Sequence, residues 1–543
     1  MSSTESISSV FAEAKLLVQP STVEYIKEQS NNPILFSEEI VSSISNDVST
    51  VTKENIENLD ISVTTEDSEE TTTEDSEETT TEDSEETTTE DSEETTSVNP
   101  NPTGEKGEQM VSSDTPEELY ESTIDEDDKH LDDIGIFTPE TECVPRSGDT
   151  NVEIKKDVTG QSTGTDEFED FVKLFNDRFD KLKNILSQRV SSIPIEALSD
   201  SGGKQVTIIG RVLESRTTQS NNRLVVLEDR TGEFAAVFTD EKEQKITEEL
   251  LEGEVIAIEG EVSGNGEIMF GNDIMLPEVP PRNKPTKADR PVKAAFISDI
   301  HIGADTFASE CWNDFVEWIR QEGEIEYLFI AGDVIEGIGV YPGQEDILTV
   351  VDMYKQYDLC GEAFKQLPDN LEIIVCTGNH DMVRLAEPQP ALPDKFTNNF
   401  PDNVTFTGNP ATVEIENGIT IEFYHGMSIN GFTDTIPSAD VMDPTTAMKH
   451  MVKKRHLAPL YGYNTRIAPE EKDYLVLEEI PDILHSGHVH TFGTDTYNGV
   501  SLLNTGAWQY QTDFQEKMNI VPTVANVSII DLESFEISTK SFS

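Results

Sequence analysis

Five apolar runs of strand length each end in a short loop carrying Asp, Asn or His, and this recurrence constrains the fold more than any other feature of the chain. Residues 371–377 run into Gly378-Asn379-His380-Asp381, and residues 292–297 into Ser298-Asp299-Ile300-His301. Residues 327–331 run into Gly332-Asp333, 419–424 into His425-Gly426, and 481–486 into Gly487-His488-Val489-His490. Short continuous apolar runs bounded by Gly suit buried strands, and open α/β sheets keep their sites just beyond strand ends. The chain has 9 His, and five of them (His301, His380, His425, His488, His490) fall at these ends. Singly, a Gly-Asn-His is a common turn and an Asp-x-His an ordinary loop. Together they form a set of polar groups too costly to gather without a common ligand, and they predict a shared metal site.

Asp299 and His301, two residues apart, can reach one ion. His488 and His490 can do the same or divide between two ions, and Asp333 is placed to bridge them. With Asn379 and His425 the donors are mixed nitrogen and oxygen, which suits Mn²⁺, Fe²⁺ or Zn²⁺ better than Ca²⁺ or Mg²⁺. Two such ions about 4 Å apart activate a water-derived nucleophile and clamp a phosphate for in-line displacement, so the predicted reaction is phosphoester hydrolysis.

The rest of the chain divides by pattern. Residues 1–58 carry short apolar clusters such as Val10, Phe11, Leu16 and Leu17, broken by Pro20 and Pro33, and read as a small helical module or a marginally folded leader. The octapeptide Thr64-Thr65-Glu66-Asp67-Ser68-Glu69-Glu70-Thr71 then recurs in phase from Thr72, Thr80 and Thr88. A repeat without apolar side chains cannot bury a core, so residues 59–165 are expected to be a disordered acidic linker. Over 166–200, Phe168, Phe171, Val172, Phe175, Phe179, Leu182 and Leu186 fall at three-and-four spacing, the mark of an amphipathic connecting helix. Residues 201–280 read as three strands, a helix and two strands, the order of an OB-fold β-barrel. Its strands carry Glu where a DNA-binding face needs Lys, Arg and aromatics, so packing against a partner is the preferred reading. From 290 to 543 strands alternate with helical stretches in a layered α/β domain.

The formal charge is −69, from 107 acidic and 38 basic residues, and the folded half shares in it, as at Glu248, Glu249, Glu252 and Glu254. Such a surface repels itself unless salt screens it, which points to the salt-rich cytoplasm of a halophile. The four cysteines lack paired or metal-type spacing and are expected to be reduced thiols in a cytoplasmic protein. No apolar run reaches membrane-spanning length. The one basic cluster, Lys449, His450, Lys453, Lys454 and Arg455, suits DNA contact and pairing with acidic neighbours equally.

The series Asp-x-His, Gly-Asp, Gly-Asn-His-Asp, His-Gly and Gly-His-x-His resembles the calcineurin-like metallophosphoesterase superfamily. The resemblance implies Asp299, His301 and His490 on one metal, Asn379, His425 and His488 on the other, and Asp333 shared. It makes His380 a catalytic contact to the scissile phosphate rather than a ligand, with Asp381 orienting it. Phosphoprotein phosphatases carry phosphate-gripping arginines where this chain has Glu336 and Thr377, so the nuclease branch fits better. Residues 337–345, 455–462 and 504–515, with the order helix, OB domain, phosphoesterase, resemble the small, exonuclease subunits of archaeal family D DNA polymerases. That implies a heterodimer with the large catalytic subunit and 3′→5′ proofreading of a DNA primer terminus. Relatives in eukaryotic replicative polymerases have lost ligands and serve as scaffolds, and a repair nuclease of the same superfamily is a further alternative. Every ligand position is filled here.

Overall fold

The computed structural model describes residues 17–18, 26, 50–51, 129–147, 150–165, 167–341, 343–517 and 519–543. The chain forms two compact units, Met1–Val111 and Ser112–Ser543. In the first, Leu17–Val18 pairs in parallel with Thr50–Val51 and Ile26 is helical. The remainder of the module expected over 1–58, and all the octapeptide repeats, lie outside the described residues.

In the second unit the expected linker is corrected. Residues 129–147 and 150–165 are fastened to the phosphoesterase domain rather than trailing from it. Strand β1 (Val152–Lys156) pairs antiparallel with residues 412–415 and covers a sheet edge. Arg146 is buried, its Nε donating to the Ile325 carbonyl at 2.7 Å. The polar composition hid this, because the segment borrows most of its hydrogen-bond partners from far along the chain and buries only a few scattered apolar groups, Ile136 and Val158 among them.

Helix α1 (Phe168–Ser187) follows and buries Leu174, Phe179, Leu182 and Leu186. Phe179, Leu182 and Leu186 share a core with Ile209, Val255 and Ala257 of the barrel and with Val476, so the helix wedges between the two domains. Phe168 and Val172 at its start stay exposed. The barrel comprises β2 (Gln205–Thr217), β3 (Arg223–Asp229), β4 (Gly232–Phe238), α2 (Glu241–Thr247), β5 (Val255–Val262) and β6 (Met269–Met275). Its strands close in the order β2-β3-β4-β6-β5, the OB arrangement.

The α/β domain is built from two six-stranded sheets. In the first, β7 (Lys293–Ile297), β8 (Ile325–Ala331), β9 (Glu372–Cys376) and β10 (Val404–Thr407) run parallel, with helices α3 (Ser309–Gln321) and α4 (Met353–Phe364) among the connections. In the second lie β11 (Ala411–Ile415), β12 (Ile419–Phe423), β13 (Ile483–Ser486), β14 (Phe492–Tyr497) and β15 (Val500–Thr505), with helix α5 (Pro444–Lys454) between β12 and β13. Beyond them come the short helix α6 (Asp513–Lys517) and strands β16 (Asn526–Asp531) and β17 (Ile537–Ser541), which extend the first sheet beside β7. Phe296, Phe329, Phe423 and Leu503 fill the space between the sheets. Trp312, Phe315, Phe364 and Trp508 form the core beneath α3 and α4, and Met448, Met451 and Val452 that beneath α5. Each fully buried large apolar side chain contributes about 1.5–3 kcal/mol, which anchors the strand ends firmly enough to hold unfavourable loops. No helix among the described residues is long and apolar enough to cross a membrane.

The basic cluster on α5 is engaged within the protein. Lys454 pairs at 2.8 Å with Glu254 of the barrel, both buried, and Lys449 pairs with Asp495. Arg455 donates to the carbonyls of Leu477 and Glu478, and His450 meets Ser438 Oγ at 2.9 Å. At the buried Lys454, Arg455 and His450 the nucleic-acid alternative therefore gives way to internal pairing.

Candidate metal centre

The loops after β7, β8, β9, β12 and β13 converge on one point, because the two sheets bring these strand ends to the same edge of the sandwich. Asp299 (φ 53°), His301 (φ 56°), Asp333 (φ 52°), His488 (φ 71°) and His490 (φ 56°) all adopt left-handed backbone conformations that side chains of this size disfavour. Such strain costs on the order of 1–3 kcal/mol per residue and persists where surrounding packing over-determines it, typically at functional sites. Two glycines make the crowding possible. A Cβ on Gly378 would sit 2.1 Å from Asp333 Oδ1, and one on Gly487 2.3 Å from Asp299 Oδ2.

The donors fall into two groups. In the first, His301 Nε2 lies 3.1 Å from His490 Nε2, and Asp299 Oδ1 lies 3.9 and 3.5 Å from these two atoms. In the second, Asn379 Oδ1 lies 2.9 Å from His425 Nε2 and 2.8 Å from His488 Nδ1. Asp333 Oδ2 joins them, 3.2 Å from His425 Nε2 and 3.9 Å from His301 Nε2. Donors roughly 2.1 Å from a first-row divalent ion stand roughly 3.0–3.4 Å from one another, so this spacing fits a pair of ions sharing the Asp333 carboxylate. The seven residues singled out from the sequence are thus brought together as a site for two divalent metal ions.

Surrounding groups fix the donors. His425 Nδ1 lies 2.7 Å from the Ala331 carbonyl, which accepts its N–H and turns Nε2 toward the other donors. His380 Nδ1 lies 2.7 Å from the Glu336 carbonyl, and its backbone N–H donates to Asp333 Oδ1 at 2.8 Å. The role expected of Asp381 is corrected here. Its Oδ2 accepts from the backbone N–H of Asp333 at 2.9 Å and of Gly378 at 2.8 Å, while the Glu336 carbonyl orients the His380 ring. In this tight turn the carboxylate after His380 faces inward, where two buried N–H groups need an acceptor.

Two contributors escaped the sequence reading. Glu336 places Oε2 2.8 Å from His301 Nδ1, off the line of a straight hydrogen bond, and accepts from Gln509 Nε2, Gln344 Nε2 and the Tyr341 hydroxyl. Gln515 sets its Nε2 2.8 Å from His490 Nδ1. The signal for Glu336 was its place three residues after Asp333 in the same strand-end loop. Gln515 closes the stretch 504–515 that carries the resemblance, but nothing in that stretch marks it as the partner of His490.

The charge balance also calls for cations. Burial pushes the Asp333 carboxyl up, but the imidazoles of His425 and His380 outweigh it and hold it well below the carboxylate range. Conversely, burial pulls His425 down, yet the Asp333 and Asp299 charges raise it to about 10. His488, pulled down by burial and then by His425, falls to about 3 and is neutral at physiological pH. Buried carboxylates that draw protons onto neighbouring imidazoles make a site of net negative potential, which divalent ions satisfy.

Comparison with known proteins agrees with this architecture. The profile of the family of DNA polymerase alpha/epsilon B-subunits matches residues 294–494, and that of the OB-fold nucleic acid binding domain matches 206–273. The DNA polymerase II small subunit of Halobacterium salinarum is 43% identical over 429 residues, covering 77% of this chain and 84% of that protein. Its counterpart in Archaeoglobus fulgidus is 40% identical over 388 residues (70% and 78%), and that of Pyrococcus abyssi 34% identical over 471 residues (79% and 75%). With relatives of 34–43% identity spanned over three quarters or more of their own length, the chain is a member of the archaeal DNA polymerase II small-subunit family.

Proposed function

We propose that this chain is the exonuclease subunit of a two-subunit archaeal DNA polymerase, hydrolysing DNA phosphodiester bonds from the 3′ end of a primer terminus in proofreading. The observation that carries this is the position of Asp333 between two complete donor groups, with His380 beside them. Asp299, His301 and His490 would hold one ion and Asn379, His425 and His488 the other, with Mn²⁺ preferred and Fe²⁺ or Zn²⁺ as substitutes. Bound there, the ions supply the positive charge that clamps a phosphate and activates a water nucleophile.

The protein's own groups set the geometry. Asp381 ties together the two backbone turns that carry Asp333 and Asn379. The bond from Nδ1–H to the Glu336 carbonyl fixes the orientation of the His380 ring, so that in the imidazolium form its Nε2–H would meet the scissile phosphate and pass a proton to the leaving oxygen.

A chain of −69 charge, with its basic cluster largely paired internally, holds DNA phosphates poorly. The relatives' description as small subunits supports a large catalytic partner that supplies the DNA grip, in a cytoplasm rich in salt. Single strands labelled at the 3′ or 5′ end, incubated with the chain in Mn²⁺ and high salt, test the reading. Mononucleotide release from the 3′ end is expected; release from the 5′ end alone, or none, overturns it.

A further inference from the structure

The loop that closes over His490 carries a second feature. Gln515, which meets His490 Nδ1, is fastened within its own segment: its side-chain oxygen accepts from the Thr512 N–H at 3.1 Å, and its carbonyl accepts from the Ile520 N–H at 2.8 Å. Phe514, one residue before it on α6, is 60% exposed. Its ring lies nearly parallel to that of Tyr341, at 23° and 6.4 Å between centroids. Tyr341 is held in turn by its hydroxyl bond to Glu336 Oε1 at 3.0 Å, and its ring stands edge-on to His380, 6.2 Å away.

An isolated exposed Phe is ordinary on a protein surface. Phe514 differs because both it and its ring partner are fixed to residues that position the metal donors, and the rings Phe514, Tyr341 and His380 lead stepwise from the rim to the candidate reaction centre. The other face of Phe514 meets no ring among the described residues. The rim is acidic as well, with Asp305 and Asp513 close enough to influence one another, which disfavours phosphate contacts there. Stacking on an uncharged ring escapes that repulsion, and every nucleobase offers a face for it.

We infer that Phe514, backed by Tyr341, is the platform on which the terminal base of a single-stranded DNA end stacks as its phosphodiester enters the metal centre. This rests on the exonuclease reading and adds a specificity to it: the site selects frayed, single-stranded ends that retain a base. Tyr341 is a positioning residue, since it acts through Glu336 as well as through Phe514.

The test uses the full chain in Mn²⁺ and high salt, with oligothymidylate ending in either an intact nucleotide or an abasic tetrahydrofuran nucleotide. The intact end is expected to give a kcat/KM about 5- to 150-fold higher, the range of one base–aromatic stack. Phe514→Ala should abolish the difference between intact and abasic ends by lowering the intact-end rate more than the abasic one, and Phe514→Trp should restore the difference. Equal loss on both substrates, or no loss on either, overturns the proposal and leaves the exonuclease reading standing. A readout independent of hydrolysis uses 2-aminopurine at the 3′ end, whose fluorescence stacking quenches. Quenching by the wild type that Phe514→Ala abolishes supports the platform even if no strand is cut, and a wild type that does not quench refutes it.

Discussion

His301 and His490 point their Nε2 atoms at each other across 3.1 Å, although the two residues lie 189 positions apart in the chain. Two neutral imidazole lone pairs repel at that distance, and a proton or a metal ion between them relieves the repulsion. Ions that bind only the folded state add stability by mass action, about 2.7 kcal/mol at a hundredfold excess over Kd. Thermal melting is therefore expected to shift upward by several degrees in Mn²⁺ relative to a chelator, and an unchanged midpoint would count against ion binding at these donors.

Asp333→Ala removes the one oxygen that both donor groups share. The variant is expected to lose at least one metal equivalent by elemental analysis and on the order of 10³-fold or more in hydrolysis, roughly 4 kcal/mol of transition-state stabilisation. A variant that retains full activity would mean that the centre is not the catalytic one.

For His380→Ala the expectation is a separation of effects. Both metals stay bound, because its Nδ1 is taken up by the Glu336 carbonyl, while turnover drops about 10²–10⁴-fold. Loss of a metal equivalent in this variant would make His380 a ligand.

Arg178 on α1 donates through Nε to Asp473 Oδ2 at 2.6 Å and through Nη1 to the Pro459 carbonyl at 2.9 Å, and the pair is sealed from solvent. His456 Nε2 approaches the same Asp473 oxygen at 3.0 Å. Removing one partner strands a buried charge, so Arg178→Ala is expected to destabilise the protein by about 3–5 kcal/mol in denaturant titration. A change under about 1 kcal/mol would show that α1 is held chiefly by its apolar face.

Glu387 is fully buried, accepts from the Tyr424 hydroxyl at 3.0 Å, and is pushed up by burial to about 7. Its folded value exceeds the unfolded one, so the folded chain binds the extra proton between about pH 4.5 and 7. The stability it contributes is full below that window and lost as pH rises through about 7. Glu387→Gln, uncharged at all pH and still an acceptor for Tyr424, should be more stable than the wild type above pH 7 by on the order of 2–3 kcal/mol, with no advantage below pH 4.5. Parallel stability profiles for the two proteins would refute the assignment.

The barrel order, the alternation of strands and helices and all seven donors were readable because the signals that encode them are local. An apolar run ending in Gly marks a buried strand end wherever it occurs, and Asp299, His301, Asp333, Asn379, His425, His488 and His490 stand directly after such ends. Residues 129–165 read as linker because their order comes from distant partners, as when Arg146 meets the carbonyl of Ile325, and a polar segment stabilised in that way has no periodicity of its own. The same distance left Lys454 looking free for DNA when it closes on Glu254 of the barrel, and nothing local tied Gln515 to His490. Asp381 follows His380 directly in the sequence, yet which group it serves depended on the direction of one turn and on two backbone N–H groups that needed an acceptor. The sequence by itself determined which residues reach the site, through hydrophobic pattern and turn chemistry acting over a few residues. Only the tertiary structure decided what each group faces there, because hydrogen bonds and ion pairs between segments hundreds of residues apart are set by how the two sheets, the barrel and the connecting helix pack.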